Sequence, residues 1–480
     1  MMKKTVTSLK LAVMLLAINI IVSVVSFTSY TTYQQVYAQS IDDDDANTND
    51  DDDSMSFTTP INLTNNTRDS VYAQIASFGK NVYMVWQENN PDPSGQNNNA
   101  NNNINYNDDY ENYDIYIKKS TDGGLTFSKE INLSKNPGFS EHPQIAISGN
   151  NVYIAWIDNA SSSSSSTTTT IKNQEILFRK SIDGGNTFDK IINLSNSSNA
   201  DSYNLEITAA GNNVYVVWQD TTLPTADVDT SSSGGVNADN NSDRSSISSK
   251  ESSSILFRAS TDDGNTFKKI KSLSNSAFKS YPKIAAFENS AYVVWNVGII
   301  GDSNSEDNNA NNINNGIFFT KSFDRGNSFS DTIKLNSDQN SIGESQISAY
   351  GNNVYVVWGG NPDDKVVGDI FFVKSSDNGN RFAKAESLGE ENSLNVEIIS
   401  GENNNVYIAW QALLSDGNEE ILFKKSSDNG ATFTNINENV SKNEGISECT
   451  SITVSENNNV YVAWEDYTYR NHEILFAKSI

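Results

Sequence analysis

The chain is poor in the residues that build covalent or metal frameworks. Cys449 is the one cysteine among 480 residues, so no internal disulfide can form. The two histidines, His142 and His472, have no cysteine or second histidine at ligand spacing, which removes the usual zinc patterns. Cys449 reads as a packed small residue rather than a reactive thiol. Basic residues are scarce as well: 33 Lys and Arg face 60 Asp and Glu, for a net charge of −27. Phosphate binding needs a basic surface, so nucleic acid is excluded as a partner, and anionic lipid with it. A charge of this sign favours solubility and attracts cations or basic surfaces. Helical 3.6-residue periodicity is missing over any useful length after the leader.

Long apolar runs are equally rare. One covers residues 11–27, preceded by Lys3, Lys4 and Lys10 and followed by Val36-Tyr-Ala38, with small residues at the −3 and −1 positions. This predicts a secretory signal at 1–38, cut after Ala38. A retained membrane anchor is the alternative, the run being borderline in length for spanning. Removing the leader takes away three lysines and no acid, moving the charge from −27 to −30. Residues 39–55, with their Asp-rich tracts, predict an extended charged linker.

Repetition is what the rest of the chain has in plenty. All seven tryptophans close the phrase Tyr-x-x-Trp, at Trp86, Trp156, Trp218, Trp295, Trp358, Trp410 and Trp464, 52 to 77 residues apart. Each is followed by a phrase of the type Glu175-Ile-Leu-Phe-Arg-Lys-Ser181. Six times the serine opens Ser-x-Asp-x-Gly-x-Thr-Phe or a close variant, centred on Asp122, Asp183, Asp262, Asp324, Asp377 and Asp428. Ile-Asn-Leu-Ser or a relative comes next, then a short apolar run such as Pro143-Gln-Ile-Ala-Ile147. These runs, rich in Val, Ile, Tyr and Phe and bounded by Gly, Asn, Asp or Ser, are strands. Four strands per repeat, here called A (Gln-Ile-Ala), B (Tyr-x-x-Trp), C (Ile-Leu-Phe) and D (Asn-Leu-Ser), make a propeller blade.

The ends of the repeat predict how the ring closes. Residues 56–64 are a strand D with nothing before it, and the chain stops at Ser479-Ile480 after a strand C. Joining the two gives an all-β, seven-bladed propeller over 56–480, four antiparallel strands per blade, rather than six blades with spare strands. Asn-, Ser- and Asp-rich insertions at about 89–113, 159–174, 221–253 and 299–315 all fall between strands B and C. Antiparallel alternation puts B–C and D–A loops on one face and every Ser-x-Asp loop on the other. Insertions on one rim mark either a binding face or disordered spacers.

In the Ser-x-Asp phrase the carboxylate can cap its own turn, and the glycine supplies a positive φ. One Asp and one Ser per loop are too few ligands for calcium. The phrase resembles the Asp-box, or BNR repeat, of the sialidase superfamily, over almost the whole chain after the leader. The resemblance implies a propeller whose boxes lie away from the site. Asp-box propellers include six-bladed sialidases, seven-bladed xyloglucanase-like glycosidases, sortilin-like receptors and a photosystem assembly factor, so function stays open. Composition and the Tyr-Ala-Gln junction are also similar to those of exported proteins of ammonia-oxidising archaea.

A sialidase-like site implies three arginines clamping a carboxylate, a Tyr–Glu nucleophile and an Asp acid/base. Of seven arginines, only Arg68 and Arg470 fall on the insertion face, and the Phe/Tyr-Arg-Ile-Pro motif is missing. The triad cannot be assembled, which leans against an enzyme. The remaining catalytic candidates are Glu141, Asp158, Glu448 and Asp466, with Tyr467 beside them, and a glycosidase would need two such carboxylates. Glu88, Asp158, Asp220 and Asp466, each two residues past its tryptophan, predict an acidic ring that would attract a cation, calcium included, or a basic protein. Carbohydrate is the other candidate ligand. Sequons at Asn62, Asn132, Asn193 and Asn439 in strand D predict rim glycans. The expected product is an exported monomeric binding module at the cell surface, with a secreted glycoside hydrolase as the alternative.

Overall fold

The structure, a computed structural model, describes residues 55–90, 112–135, 138–159, 173–197, 200–222, 252–274, 279–297, 316–336, 341–361, 368–390, 392–415, 417–443, 445–468 and 471–480. The expected signal at 1–38, the expected linker up to residue 54 and most of all four insertions lie outside them. The described residues form seven four-stranded antiparallel sheets and no helix. Blade 1 is built from Ser70–Phe78 (A), Asn81–Asn90 (B), Asn112–Ser120 (C) and Ile131–Asn132 (D), and blades 2–6 repeat the order. The described residues of 55–413 and 419–480 form one compact unit. The turn at 414–418 is closed by Leu414 N–H to Asn418 O at 2.8 Å.

Blade 7 is assembled from both ends of the chain, as the broken repeat predicts. Its strands run Ser447–Val454, Val460–Asp466 and Glu473–Lys478, and Ile61–Asn62 adds the fourth, with Ile61 opposite Phe476 and Asn62 opposite Leu475. Thr58 N–H to Lys478 O at 2.9 Å and Leu63 N–H to Ile474 O at 2.8 Å extend the seam. Phe57 is buried there, edge-on to Phe423 of blade 6 at 5.0 Å. The free edge that a lone strand would expose is thereby used up.

The core lies between blades, because strand B is apolar on both faces. Six of the seven tryptophans are among the largest fully buried side chains. Trp86, Val82 and Met84 of blade 1 meet Tyr461, Ala463 and Phe476 of blade 7 in one cluster. Each such side chain contributes about 1.5–3 kcal/mol by leaving water.

The two faces follow from the alternation. All six Ser-x-Asp loops are stitched to the A–B turn of their own blade, as by Gly123 N–H to Lys80 O and Gly184 N–H to Asn150 O, both 2.9 Å. The B–C and D–A segments meet at the other end, as in Asn89 N–H to Asp69 O at 3.0 Å.

Candidate ligand-binding channel

The Ser-x-Asp loops are closed units. In blade 1, Asp122 Oδ1 accepts Ser120 Oγ–H at 2.7 Å, Leu125 N–H at 3.0 Å and Thr126 N–H at 2.9 Å, while Oδ2 accepts Thr126 Oγ–H at 2.6 Å. Ser120 Oγ in turn accepts Gly124 N–H at 2.9 Å. Gly124 has φ +77°, and a Cβ on it would come within 2.6 Å of the Phe476 ring of blade 7, so glycine is required twice over. These bonds hold Asp122 and Asp183, the Thr hydroxyls foremost, well below the usual carboxylate range. Asp324 is drawn down to about 2, chiefly by the Ser328 hydroxyl. At Asp262 and Asp428 partial burial opposes the charge, yet the same bonds outweigh it and leave both at about 2. In every such loop but that of Asp377 both carboxylate oxygens accept from the loop itself, and in five of the six a strand-C lysine of the preceding blade caps a loop carbonyl, as in Lys119 Nζ–H to Gly184 O at 2.7 Å. This face is built for joining blades.

Glu88, Asp158, Asp220 and Asp466 do not form a solvent-facing ring: they are 1%, 0%, 8% and 0% exposed. Strand B carries them inward, where the indole N–H of the blade tryptophan meets three of them: Trp86 to Glu88 at 3.0 Å, Trp156 to Asp158 at 3.0 Å and Trp218 to Asp220 at 2.7 Å. The first serine of strand A donates to each of the four: Ser70, Ser140, Ser202 and Ser447, at 2.9, 2.7, 2.7 and 3.1 Å. They latch strand A to strand B. Asp466 also takes Asn443, and Trp464 Nε1 is left unpaired. Arg68 forms an ion pair with Glu88 and lies over the Tyr116 ring at 5.4 Å, so it is a structural arginine.

The other candidates scatter along the same rim. Glu141 accepts Gln174 Nε2–H at 2.8 Å, and burial raises its carboxyl above the ordinary range. Glu448 faces His472 Nε2 at 3.7 Å, and Tyr467, half exposed, lies against the His472 ring at 4.9 Å. Arg470 lies outside the described residues. Arg179 and Arg258 are pinned to Leu133 O and Leu194 O, each at 2.6 Å, and Arg325 sits in a Ser-x-Asp loop on Asn289. Among the described residues no three arginines share a site.

The strand-D asparagines turn their carboxamides into their own turns. The Oδ1 atoms of Asn62, Asn132, Asn193 and Asn439 accept the amides of Asn65, Lys135, Asn196 and Lys442 at 2.7–3.0 Å. Asn132 also donates to Asp114 Oδ2 at 2.6 Å. The serine of this motif is buried as well: Ser134 donates to Asp114 Oδ1 at 2.7 Å and accepts Ile115 N–H at 3.0 Å. A sequon pattern here coincides with a motif that fastens strand D to strand C.

What the residues bring together is at the axis. All seven strands A slip register near their start, between Val71/Gln74, Glu141/Gln144, Tyr203/Glu206, Ser280/Lys283, Ile342/Ser345, Leu394/Glu397 and Glu448/Ser451. Such a bulge re-aims side chains. In six blades its residue has a left-handed backbone: Tyr72, His142, Asn204, Tyr281, Asn395 and Cys449, at φ 46–54°. A side chain other than glycine in this region costs roughly 1–3 kcal/mol. Neighbouring strands B hold two of the bulges: Gln87 Oε1 accepts His142 N–H and Glu465 Oε1 accepts Tyr72 N–H, both at 2.7 Å.

The bulges ring a cavity of about 620 Å³. One wall carries the Tyr72–His142 ring pair, 4.2 Å apart, and Cys449. Burial keeps His142 below its ordinary value. Burial, then Glu465 and Glu448, push the Cys449 thiol up, which keeps it protonated. The other wall is ionic. Lys283 Nζ lies 3.1 Å from Glu206 Oε2, and Gln346 Nε2 donates to Glu397 Oε1 at 2.7 Å, with Glu344 beside them. Burial opposes the Lys283 charge, but Glu206, then Glu397 and Glu344, outweigh it and hold the ammonium above its usual value. Burial raises Glu397 to about 8 and Glu465 to about 7. Sequence reasoning missed this wall. Its signal was the polar residue directly before each strand-A isoleucine or valine-like position, as in Gln74-Ile75, Lys283-Ile284 and Glu397-Ile398, which period-two alternation turns away from the blade core.

No family model matches the chain, and no curated protein matches it. Solved structures do. A Dyadobacter fermentans protein of unknown function is similar with TM-score 0.48 at 11% identity, over 88% of this chain and 98% of that one. Trypanosoma rangeli sialidase in complex with sialic acid is similar with TM-score 0.42 at 11% identity, over 89% of this chain and 57% of its own. A Hadza microbial sialidase is similar with TM-score 0.43 at 12% identity, over 75% and 73%. The similar structures thus include sialidase-type propellers at low identity, and this chain spans little more than half the length of the Trypanosoma enzyme.

Proposed function

We propose that the chain is an exported, sialidase-like Asp-box propeller acting as a non-catalytic binding or scaffold module at the cell surface. Its ligand face is the end formed by the B–C and D–A loops, around the channel mouth. One observation carries this reading: the cavity at that end is lined by Glu344, Glu397 and Lys283, the last backed by Glu206, while the described arginines are spent on blade joints or the opposite face. Ionic groups facing a cavity on a rigid ring are a binding wall. The ligands such a wall suits are a cation, a basic protein or a carbohydrate. The test is a screen of purified protein against chromogenic glycosides and, by calorimetry, against calcium and oligosaccharides. Saturable binding of at least one ligand of these classes, without turnover, is expected; turnover on any glycoside would overturn the reading.

A secreted glycoside hydrolase is the second reading. The observation in its favour is Glu397, whose carboxyl is raised to about 8 near other carboxylates, the condition for a general acid at neutral pH. Glu397→Gln would abolish the turnover that this reading requires.

A further inference from the structure

Two features of the channel wall coincide. The first is an internal precedent: an aliphatic ammonium, Lys283 Nζ, already neutralises one wall carboxylate, Glu206, at 3.1 Å. Beyond it, on the next two blades, Glu344 and Glu397 feel the Lys283 charge but form no ion pair of their own among the described residues, and Glu397 accepts from the neutral Gln346 amide at 2.7 Å. The second is a notch. The residue after the blade tryptophan fills the space toward the next blade's bulge, as Gln87 does for His142 and as Asn296 does for blade 5, donating to Gly343 O at 2.7 Å and accepting from Ser345 at 2.8 Å. In blade 5 that residue is Gly359, and a Cβ there would meet nothing nearer than Ser393 O at 4.0 Å. The missing side chain opens the wall between blades 5 and 6, beside Glu344 and Glu397, and Gly359 lines the cavity.

We propose that this notch is a binding site for a small aliphatic amine or guanidine, whose cationic head takes toward Glu344 and Glu397 the place that Lys283 takes toward Glu206. This rests on the binding-module reading and names its ligand class. A compact inorganic ion is disfavoured, since among the described residues no group of three or more His, Cys, Asp or Glu could hold a metal. An ammonium needs only one or two oxygens at hydrogen-bond distance, and the walls supply them on separate blades. A chain charge of −27 raises the local concentration of such cations. Glu397 carries a proton at neutral pH, and Lys283, Glu206 and Glu344 face it, so a bound cation displaces that proton. Affinity therefore climbs as pH rises toward about 8.

The experiment is calorimetric titration of the full chain with agmatine, cadaverine and spermidine, with pentanol as an uncharged analogue and calcium chloride as an inorganic cation. Expected are one saturable site for at least one amine, no heat from pentanol or calcium, and proton release in buffers of differing protonation heat. Glu397→Gln and Glu344→Gln each weaken the amine at least tenfold, and Gly359→Gln does the same by filling the notch. Should Gly359→Gln fail to fold, the two isosteric glutamines decide alone. Silence from all three amines overturns the proposal, as does full affinity in both glutamine variants. A Lys-rich peptide that binds where the free amines do not overturns its small-molecule form. Calcium or oligosaccharide binding with silent amines overturns this inference and spares the binding-module reading; glycoside turnover does the reverse.

Discussion

The two faces of the wheel use carboxylates in opposite ways. On the Ser-x-Asp face each acid is enclosed by donors from its own loop and held below the usual carboxylate range, Asp262 and Asp324 at about 2. Around the channel burial dominates: Glu397, which lines the cavity, rises to about 8, and Glu465, buried behind the Tyr72 bulge, rises to about 7. A carboxylate that accepts three or four hydrogen bonds adds order to a loop and has nothing left for a ligand. One that faces a cavity destabilises the fold slightly and keeps its capacity to bind. The difference separates the blade-joining face from the proposed binding face more clearly than loop length does.

The largest expected effect lies between the faces. Asp158→Ala removes the acceptor of Trp156 Nε1–H and Ser140 Oγ–H, both buried. Each orphaned donor costs about 1–3 kcal/mol, so chemical denaturation should show a large loss. An unchanged midpoint would mean these acids are not latches. On the saturated face, Ser181→Ala strips Gly185 N–H and Asp183 of their buried partner and should cost about 1–3 kcal/mol. Ligand titrations of that variant should match the parent, and a weakened ligand would blur the two faces.

The pH profile of thermal unfolding sharpens the contrast. The Asp loops have folded values below the ordinary 3.8, so their stabilisation is whole above 3.8 and is lost as pH falls through about 2. Glu397 and Glu465 have folded values above the ordinary 4.5. Their contribution is whole below 4.5 and is lost as pH rises through about 7 and 8. Tm should peak near pH 4 to 5, falling on both sides. The smallest effect is Glu397→Gln, which should leave Tm unchanged at pH 5 and raise it slightly at pH 9, where the parent carries a buried charge. A Tm drop at pH 9 would show that the carboxylate is already compensated.

The fold was legible because its signals are repeated. Seven copies of Tyr-x-x-Trp fixed the count of blades, and the orphan strands at Phe57–Leu63 and Ile474–Lys478 fixed the seam. The two faces were legible from strand alternation. The acids two residues past four of the seven tryptophans were misread as a rim, because Glu88 and Asp158 look like loop charges until the indole N–H of their own blade is seen to need an acceptor. The channel wall was hidden for a different reason. A bulge shifts strand A by one residue, and nothing in Ser-Tyr-Pro-Lys or Ser-Leu-Asn-Val announces that slip. Gly359 was invisible as a signal because its meaning depends on what the other blades place at that position.

The seam of blade 7 makes the first and last described strands, Ile61–Asn62 and Glu473–Lys478, bonded neighbours. A growing polypeptide therefore cannot complete its circumference until residues 473–480 have emerged, however early its other blades take shape. Removal of residues 473–480 would yield an open crescent with two bare flanks, and not a smaller wheel.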